Sequence, residues 1–535
     1  GDTTIYIIKG TEASLPATID SKFVVQSDVA VLKAAFANGE DFKLSADADI
    51  TGQSVSVPAG KSVVLDLNGY TLTADNSATG KIIVLGKMTL KDSSTEKKGK
   101  IVASQDYTAA SYNGSLIEIA GEDASMTMES GNISAVRKTP NSNGQYGVGV
   151  TDGGDFTMTG GKIEAGWFAV AGNGNYKTQN SIINITDGEL ISTADYAVYL
   201  PQSGTTTISG GKVYGAAGGV CIQRGTLNVE GTALITSKGT GSTGNWGDGT
   251  GGLDCAAINV SGAYGIATVN IKGGTLIAEA KSLITEGTTY TPVINVTGGT
   301  FSDPSVLKYM ATNATVDIKL LSNINIAKTE LATGYILNAA NATANLNLNG
   351  HDIINSSETA DATPFTQIFT VQNGTLNISG NGNVKCDASA TAKDDGYRMV
   401  IEARGHGTVN IHGGSYYNTQ KLNTQIDLIY ARENGKINIY GGTFESGKYG
   451  TPNNDTDGRY WVLNLKNTDK NTASIQVSGG TFINFNPANP NMDDNESYLV
   501  TGYEVTRDGS VYTAAHKVND GRKEYIVGPT SQENR

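Results

Sequence analysis

The feature that most constrains this chain is a phrase that recurs every few tens of residues along most of its length. In each copy, a run that alternates apolar and polar residues leads into a Gly pair and then into a second such run, as at 269–276, 294–301 and 409–416. Alternation with a period of two is typical of β-strands, and no helical pattern separates successive copies. The repeat therefore predicts coils stacked in parallel, each strand pairing with its equivalent about 4.8 Å away. We predict an all-β fold, a right-handed parallel β-helix (solenoid).

The Gly pairs mark sharp turns between strands, because glycine adopts a left-handed backbone at little cost. The residue two positions after each pair is apolar or aromatic in copy after copy. We interpret these residues as one interior column of the solenoid, and their aromatic members as core rather than as ligand platforms. The column consists of Ile163, Val213, Leu276, Phe301, Tyr416, Phe444 and Phe482.

A second alignment indicates an internal duplication. Residues 42–50 match residues 318–326, and residues 65–72 match residues 346–353. Each half also closes on a Gly-Gly-Thr-Phe coil that is followed by proline. We predict an N-terminal extension at 1–22, a first β-helix unit with a helical cap at 23–312, a second β-helix unit at 313–497, and a C-terminal hairpin and tail at 498–535.

The ends of a solenoid need caps, because an open end exposes a strand edge and the core. Residues 28–38 predict an amphipathic capping helix in which Leu32 and Phe36 share a face, and Gly39 ends it. At the far end, residues 502–512 predict a hairpin around an Asp-Gly pair. Between the two predicted units, residues 305–310 are expected to form one short helical turn.

Composition excludes several classes of protein. The 535 residues are 38% hydrophobic and 17% charged, which is too apolar for a disordered chain. The formal net charge of -13 disfavours nucleic acid and anionic lipid as partners. The sequence has no apolar run of the length that a membrane span requires, so we expect no membrane insertion.

Turn-forming and polar residues suit an exported protein, and we expect it to be secreted or on the cell surface. The first residues do not resemble a signal peptide, so we expect that export signals have been removed and that any lipid anchor belongs to a segment outside this sequence. Cys221, Cys255 and Cys386 form neither a disulfide framework nor a CxxC metal motif. Three unpaired thiols are expected, with a disulfide between Cys221 and Cys255 as the alternative.

Several of these phrases resemble one known family. The Leu-Asn-Leu-Asn-Gly segment at 346–350, the Gly-Gly-Thr-Phe coils and the closing segment at 498–505 are similar to pectin-lyase-like β-helix surface proteins of gut bacteria, especially Bacteroidetes. Similar stretches occur in phage appendage proteins. The resemblance covers nearly the whole chain after residue 25. It implies the fold and a cell-surface habitat, whereas the activity stays open, because this fold hosts lyases, hydrolases, esterases, adhesins and tailspikes.

A hydrolase of the polygalacturonase type is poorly supported. The resemblance would require an aspartate pair and a Gly-His-Gly motif on one face, and the chain offers 394–396 and 405–407. These lie only about half a coil apart, too close in sequence to share a face. His406 also aligns with turn positions that Asn373 and Asn434 fill in neighbouring coils. We predict no catalytic residue.

A calcium-dependent lyase is also poorly supported. It would need a carboxylate cluster beside a basic residue that removes the proton next to the uronate. No Asp or Glu column runs beside an arginine in the predicted register. The pairs Asp152 with Asp155 and Asp248 with Asp254 lie in Gly-rich turns, where they either bind calcium or are simply solvated. We predict no metal site and no cofactor, with calcium as the alternative.

Loop and outward-facing residues suggest a binding surface instead. A Trp in the Gly-rich insertion 238–253 could stack on sugar faces or fold down as a lid. Two arginines one coil apart should stack with Glu402 and Glu433 between them, either as a ligand site or as a solvated charge ladder. A Tyr is expected to face outwards beside Glu445, and the insertion at 446–458 ends next to two further aromatic residues. The candidate ligand-binding residues are Trp246, Arg404, Tyr417, Arg432, Tyr460 and Trp461.

We therefore expect a non-catalytic, secreted or cell-surface β-helix protein, an adhesin or glycan-binding protein. Its expected partner is a glycan or another ligand on a host or bacterial surface. One alternative is a polysaccharide lyase or glycoside hydrolase that acts on plant or host glycans. The other is a structural spacer or phage-like fibre.

Overall fold

A computed structural model describes most of the chain. It covers residues 29–75, 80–104, 114–136, 145–172, 180–241, 252–286, 289–326, 334–355, 365–386, 397–418, 426–446, 460–490 and 497–518. The chain divides into two compact units. Unit 1 comprises Gly1–Ala216 with Asn245–Gly251, and unit 2 comprises Ala217–Gly244 with Gly252–Arg535.

Unit 1 begins with the predicted capping helix. It spans Val29–Asn38, and Leu32 and Phe36 are its most deeply buried side chains. The helix packs against the strand Val55–Val57. It ends at Gly39, whose positive φ of 79° is a conformation that glycine adopts readily. The amphipathic pattern therefore predicted this element correctly, because one apolar face had to be covered.

The strands of unit 1 form three parallel sheets, and successive strands of a sheet come from successive coils. The first sheet consists of Phe42–Lys43, Ser62–Asp66, Lys87–Lys91, Ser125–Met128, Asp155–Met158, Ser181–Ile185 and Gly204–Ile208. The second consists of Ala48–Asp49, Thr71–Ala74, Lys100–Ala103, Asn132–Ala135, Lys162–Ala165, Glu189–Ser192 and Lys212–Gly215. The third consists of Val55–Val57, Ile82–Val84, Gly114–Ala120, Gln145–Thr151, Val170–Gly172 and Tyr196–Leu200.

Unit 2 is also built from short parallel strands, and its pattern changes along the chain. Its first coils hold Gly218–Ile222, Gly225–Val229, Leu234–Ser237, Ala256–Val260, Ala267–Ile271, Thr275–Ala278, Lys281–Thr285, Val293–Val296 and Thr300–Phe301. Its later coils form one large parallel sheet from Thr315–Lys319, Tyr335–Asn347, Phe365–Ser379, Tyr397–Ile411, Ile426–Ala431, Lys436–Ile439, Tyr460–Leu465 and Ser474–Val477. A second sheet contains Ile324–Asn325, Ile353–Asn355, Asn383–Cys386, Ser415–Asn418, Thr443–Ser446 and Thr481–Ile483.

These sheets confirm the predicted all-β, parallel β-helix fold. The short helical turn expected at 305–310 is a 3₁₀-helix, Pro304–Tyr309, and Asp303 caps it by accepting a hydrogen bond from the Ser305 amide over 2.9 Å. Another short 3₁₀-helix spans Asn467–Asp469. The unit boundary predicted at 312/313 lies inside unit 2, where Phe301 pairs with Ile318 in a continuous ladder.

The predicted interior column is confirmed in both units, since all seven of its residues are buried. In unit 2 its aromatic members stack on one another. The ring of Phe444 lies 5.1 Å from that of Tyr416 and 5.0 Å from that of Phe482. Register explains the stack, because Phe444 pairs directly with Tyr416 in one coil and with Phe482 in the next.

The predicted hairpin closes the far end of unit 2. Tyr503–Asp508 and Val511–His516 pair antiparallel, and the second strand also pairs antiparallel with Thr481–Ile483. The hairpin thereby covers an edge that would otherwise offer free main-chain groups. No helix in the described ranges is long and apolar enough to cross a bilayer. The three cysteines are buried thiols rather than disulfide partners.

Candidate functional site

The structure brings two of the six predicted binding residues together. Arg432 donates from Nε to Glu402 Oε1 over 2.6 Å and also pairs with Glu433, while Arg404 Nε lies 3.9 Å from Glu402 Oε2. Burial opposes the charge on Arg432, but Glu402 and Glu433 outweigh it and raise the pKa of the guanidinium. Glu402 therefore lies between the two arginines as expected, Glu433 pairs with Arg432, and the charges of the group largely compensate one another.

The other four predicted residues are not part of this group in the described structure. Tyr417 pairs with Glu445 and is half-buried, and its hydroxyl donates to Asn383 Oδ1 over 2.7 Å. Trp461 is only 6% exposed, so its indole belongs to the interior and does not offer a face to a surface ligand. Trp246 and the side chain of Tyr460 lie outside the described residues.

Beside the arginines lies a buried polar cluster that the sequence did not predict. Glu402 and Asp427 are 1% and 3% exposed. Glu402 Oε2 accepts from Gln367 Nε2 over 2.8 Å, and Asp427 Oδ1 accepts from Asn464 Nδ2 over 2.8 Å. Burial, followed by the negative charge of Asp427, raises the pKa of Tyr430 to about 12. Each carboxylate is thus held by donors, an arrangement that favours a structural role over proton transfer.

For the alternative of a calcium site, the described residues contain no group of three or more His, Cys, Asp or Glu side chains placed to hold a metal ion. Asp155 Oδ1 accepts a hydrogen bond from the Ile182 amide over 3.0 Å. Asp152 has a positive φ of 51°, in keeping with a turn residue. Asp248 lies outside the described residues.

A more regular feature is a column of amides on the outward side of the large sheet in unit 2. Each Nδ2 donates to the Oδ1 atom one coil earlier. The pairs are Asn345 to Asp317 over 3.0 Å and Asn377 to Asn345, Asn410 to Asn377 and Asn438 to Asn410 over 2.8 Å each. We name these five residues the amide ladder. Parallel register creates it, because each Asn pairs with the same position in the next coil.

The ladder leaves hydrogen-bonding capacity unused. A carboxamide offers two N–H donors and two oxygen lone pairs. Within the ladder, Asn345, Asn377 and Asn410 each use one donor and one lone pair. Their side chains are partly exposed, so each interior rung presents one further donor and one further acceptor per coil.

Two more columns flank the ladder on the same side, two residues before it and two residues after it along each strand. Together with the ladder they form what we name the amide face. The first column is Thr315, Thr343, Thr375, Thr408 and Lys436, and the second is Lys319, Asn347, Ser379, His412 and Tyr440. The residues that alternate with them, such as Ala344 and Leu346, are buried in the core.

An exposed aromatic pair lies on the amide face. The rings of His412 and Tyr440 stack with centroids 4.7 Å apart and planes at 9°. Tyr440 is 50% exposed, so about half of this residue remains accessible to solvent beside the stack. It follows Asn438 by two residues and therefore lies beside the last rung of the ladder.

A shorter ladder occurs in the first coils of unit 2. Asn270 Nδ2 donates to Asn228 Oδ1 and Asn295 Nδ2 donates to Asn270 Oδ1, both over 3.0 Å. The sequence carried a signal for both ladders that our prediction did not use. In the recurring phrase the residue between two apolar positions is Asn again and again, as at Asn270, Asn295 and Asn410.

No family model, curated protein or solved structure matches this chain. The resemblance to pectin-lyase-like surface proteins therefore stays a prediction.

Proposed function

We propose that this chain is a non-catalytic, secreted or cell-surface glycan-binding protein, and that the amide face of unit 2 is its binding surface. The observation that carries the proposal is the stacked pair of His412 and Tyr440 beside the amide ladder. An open aromatic ring offers a flat apolar surface to the C–H face of a sugar, and adjacent amides offer donors and acceptors to its hydroxyl groups.

The remaining features of unit 2 agree with binding rather than catalysis. Glu402 accepts from Arg432 and Gln367, and Asp427 accepts from Asn464. A general acid or base must reach the proton that it transfers. Carboxylates that are buried and already hold donors have a structural explanation, as buried ionised groups need partners.

Glycan-array screening followed by titration calorimetry tests the proposal. We expect binding to at least one polysaccharide class and a loss of most of that binding in Tyr440→Ala. Aromatic stacking contributes about 0.5–1.5 kcal/mol beyond area burial, so the loss of stacking should lower the affinity by roughly two- to tenfold, and the lost apolar contact area should lower it further. Unchanged affinity in Tyr440→Ala would exclude the amide face.

Tyr290→Ala is the matched control. Tyr290 is 48% exposed, nearly the same as Tyr440, and belongs to the same unit but not to the amide face. The Tyr290→Ala variant should bind glycans with the same affinity as the unmodified protein. An equal loss in both variants would indicate nonspecific adsorption through exposed tyrosines.

The enzymatic alternative rests on one observation, the proximity of the buried carboxylates Glu402 and Asp427 to Tyr430. Incubation with plant and mucin polysaccharides separates the two functions. Release of reducing ends or of unsaturated uronate absorbance, abolished in Asp427→Asn, would establish catalysis and contradict our proposal. If the protein neither binds nor cleaves any glycan, that result would favour a structural spacer or fibre.

A further inference from the structure

We infer that the glycan bound by the amide face is a neutral, extended, β-linked chain that lies along the stacking direction of the coils, with about one sugar per coil. This inference rests on the proposed function and specifies its ligand. Its basis is the juxtaposition of the amide ladder with the exposed Tyr440 ring at one end.

Spacing is the first argument. Equivalent residues on neighbouring coils are about 4.7–4.9 Å apart, because neighbouring strands in a sheet have that separation. A β-1,4-linked pyranose chain in its extended form advances by nearly the same distance per sugar. Such a chain can therefore place one sugar at each amide of the column, whereas a coiled α-linked chain curves away from a straight column.

Hydrogen-bonding capacity is the second argument. Each interior rung of the ladder retains one donor and one acceptor, and these repeat in the same direction along the coils. A sugar hydroxyl is itself both a donor and an acceptor. A repeating chain of hydroxyls therefore matches a repeating column of amides, and hydroxyl groups from Thr343, Thr375 and Thr408 lie alongside in the flanking column.

Charge is the third argument. Across the coils at 343–347, 375–379 and 408–412 the amide face has no formally charged side chain, with His counted as neutral. Charged residues occur only at its ends, where Asp317 and Lys319 are near one end and Lys436 is near the other. A uronate chain would meet no compensating cation along the centre, while the protein as a whole has a net charge of -13.

The experiment compares oligosaccharides of increasing length by calorimetry. The probes are β-1,4-linked gluco-, xylo- and manno-oligosaccharides of two to six sugars, with α-linked malto-oligosaccharides and oligogalacturonates as comparisons. The ladder has four amide rungs, Asn345, Asn377, Asn410 and Asn438. Affinity for at least one neutral β-linked series should therefore rise with length and level off at about four or five sugars.

Variants at the two ends distinguish an axial chain from one that crosses the strands. Tyr440→Ala should weaken binding at every length, because every oligosaccharide can stack on that ring. Asn345→Ala should weaken only chains long enough to span the ladder, by about tenfold, the equivalent of about 1.4 kcal/mol. Asn270→Ala, which removes an interior rung of the shorter ladder away from the aromatic pair, controls for loss of ladder hydrogen bonds and should bind normally.

The possible results separate this inference from the proposed function. One result would keep glycan binding but overturn the axial chain. In that case binding depends on Tyr440, and Asn345→Ala either weakens probes of all lengths equally or has no effect. If oligogalacturonates or malto-oligosaccharides bind more tightly than every neutral β-linked series, the inferred neutral, β-linked class of ligand is wrong. Thr375→Val keeps a β-branched side chain and the whole ladder, so it guards against a folding defect. It should weaken binding of the longer probes by about threefold, the loss of one hydrogen bond. Unchanged affinity for the longer probes would contradict a chain that lies along this face.

Discussion

Arg432 donates from its Nε atom to the buried Oε1 atom of Glu402 over 2.6 Å, so that one carboxylate compensates an arginine on the next coil. Glu402→Gln keeps the shape of the side chain but removes its charge. Because hydrogen bonds that involve charged groups contribute about 1.5–3 kcal/mol, we expect unit 2 to lose about 2 kcal/mol of unfolding free energy. Urea denaturation monitored by circular dichroism measures this loss.

Glu433→Gln is the control for that measurement. Glu433 also pairs with Arg432 but its side chain is 44% exposed. Solvent screens such a pair, so its removal should cost less than about 1 kcal/mol. Equal losses in the two variants would show that burial of Glu402 contributes nothing to the strength of the pair.

Tyr430 should make unit 2 sensitive to alkaline pH. Burial and the charge of Asp427 raise the pKa of its hydroxyl to about 12 in the folded protein, above the value of about 10 for an unfolded chain. The contribution of the protonated Tyr430 hydroxyl to folding stability is fully present below pH 10. It is lost as the pH rises through 12, because the unfolded state releases the proton first. Unfolding free energy followed from pH 8 to 12 should fall less steeply in Tyr430→Phe. A parallel fall in both proteins would assign the alkaline transition to other tyrosines.

Phe444 should contribute strongly to the core of unit 2, as its ring is stacked between Tyr416 and Phe482. Phe444→Ala removes both stacking contacts and leaves a cavity, and should cost about 3–5 kcal/mol. Glu445→Ala, one residue further on and exposed, should cost less than about 0.5 kcal/mol. Denaturant midpoints measure both, and a loss below 1 kcal/mol in Phe444→Ala would contradict a well-ordered column.

Asp92 should make unit 1 sensitive to acid. Its carboxylate accepts from the amides of Gly69 at 2.9 Å, Ser94 at 3.0 Å and Gly99 at 2.6 Å. Burial opposes the charge, but these hydrogen bonds outweigh it and lower the pKa of the carboxyl group. The stabilisation is therefore present above the unfolded value of about 3.9 and is lost as the pH falls through the lower folded value.

Asp92→Asn tests this expectation. It leaves a buried amide donor unmatched and should destabilise unit 1 by about 1–3 kcal/mol at neutral pH. The melting temperature of the variant should then depend less on pH between about 5 and 2 than that of the unmodified protein. Identical pH profiles would show that Asp92 is not the group that titrates. Asp49→Asn is a suitable control, because Asp49 is exposed and accepts only a local bond from the amide of Thr51 among its described contacts.

The sequence by itself determined the fold, the interior column and both caps. Period-two alternation, Gly pairs and the position of residues such as Phe301 and Phe444 are local properties, and burying an apolar column leaves few other arrangements. The helix at Val29–Asn38 and the hairpin at 503–516 were predicted for the same reason, as their patterns contain their own start and stop signals.

Only the tertiary structure decided which outward residues meet. The recurring phrase marks the equivalent position of each Asn, but insertions of different length separate the coils, and only the parallel pairing of neighbouring coils shows that Asn345, Asn377 and Asn410 meet side by side. Burial of Glu402 and Trp461 likewise depends on segments distant in sequence, since a strand residue is exposed or covered according to its surroundings. A local pattern fixes which side of a strand is apolar, whereas a site on the polar side exists only once neighbouring coils have set the register.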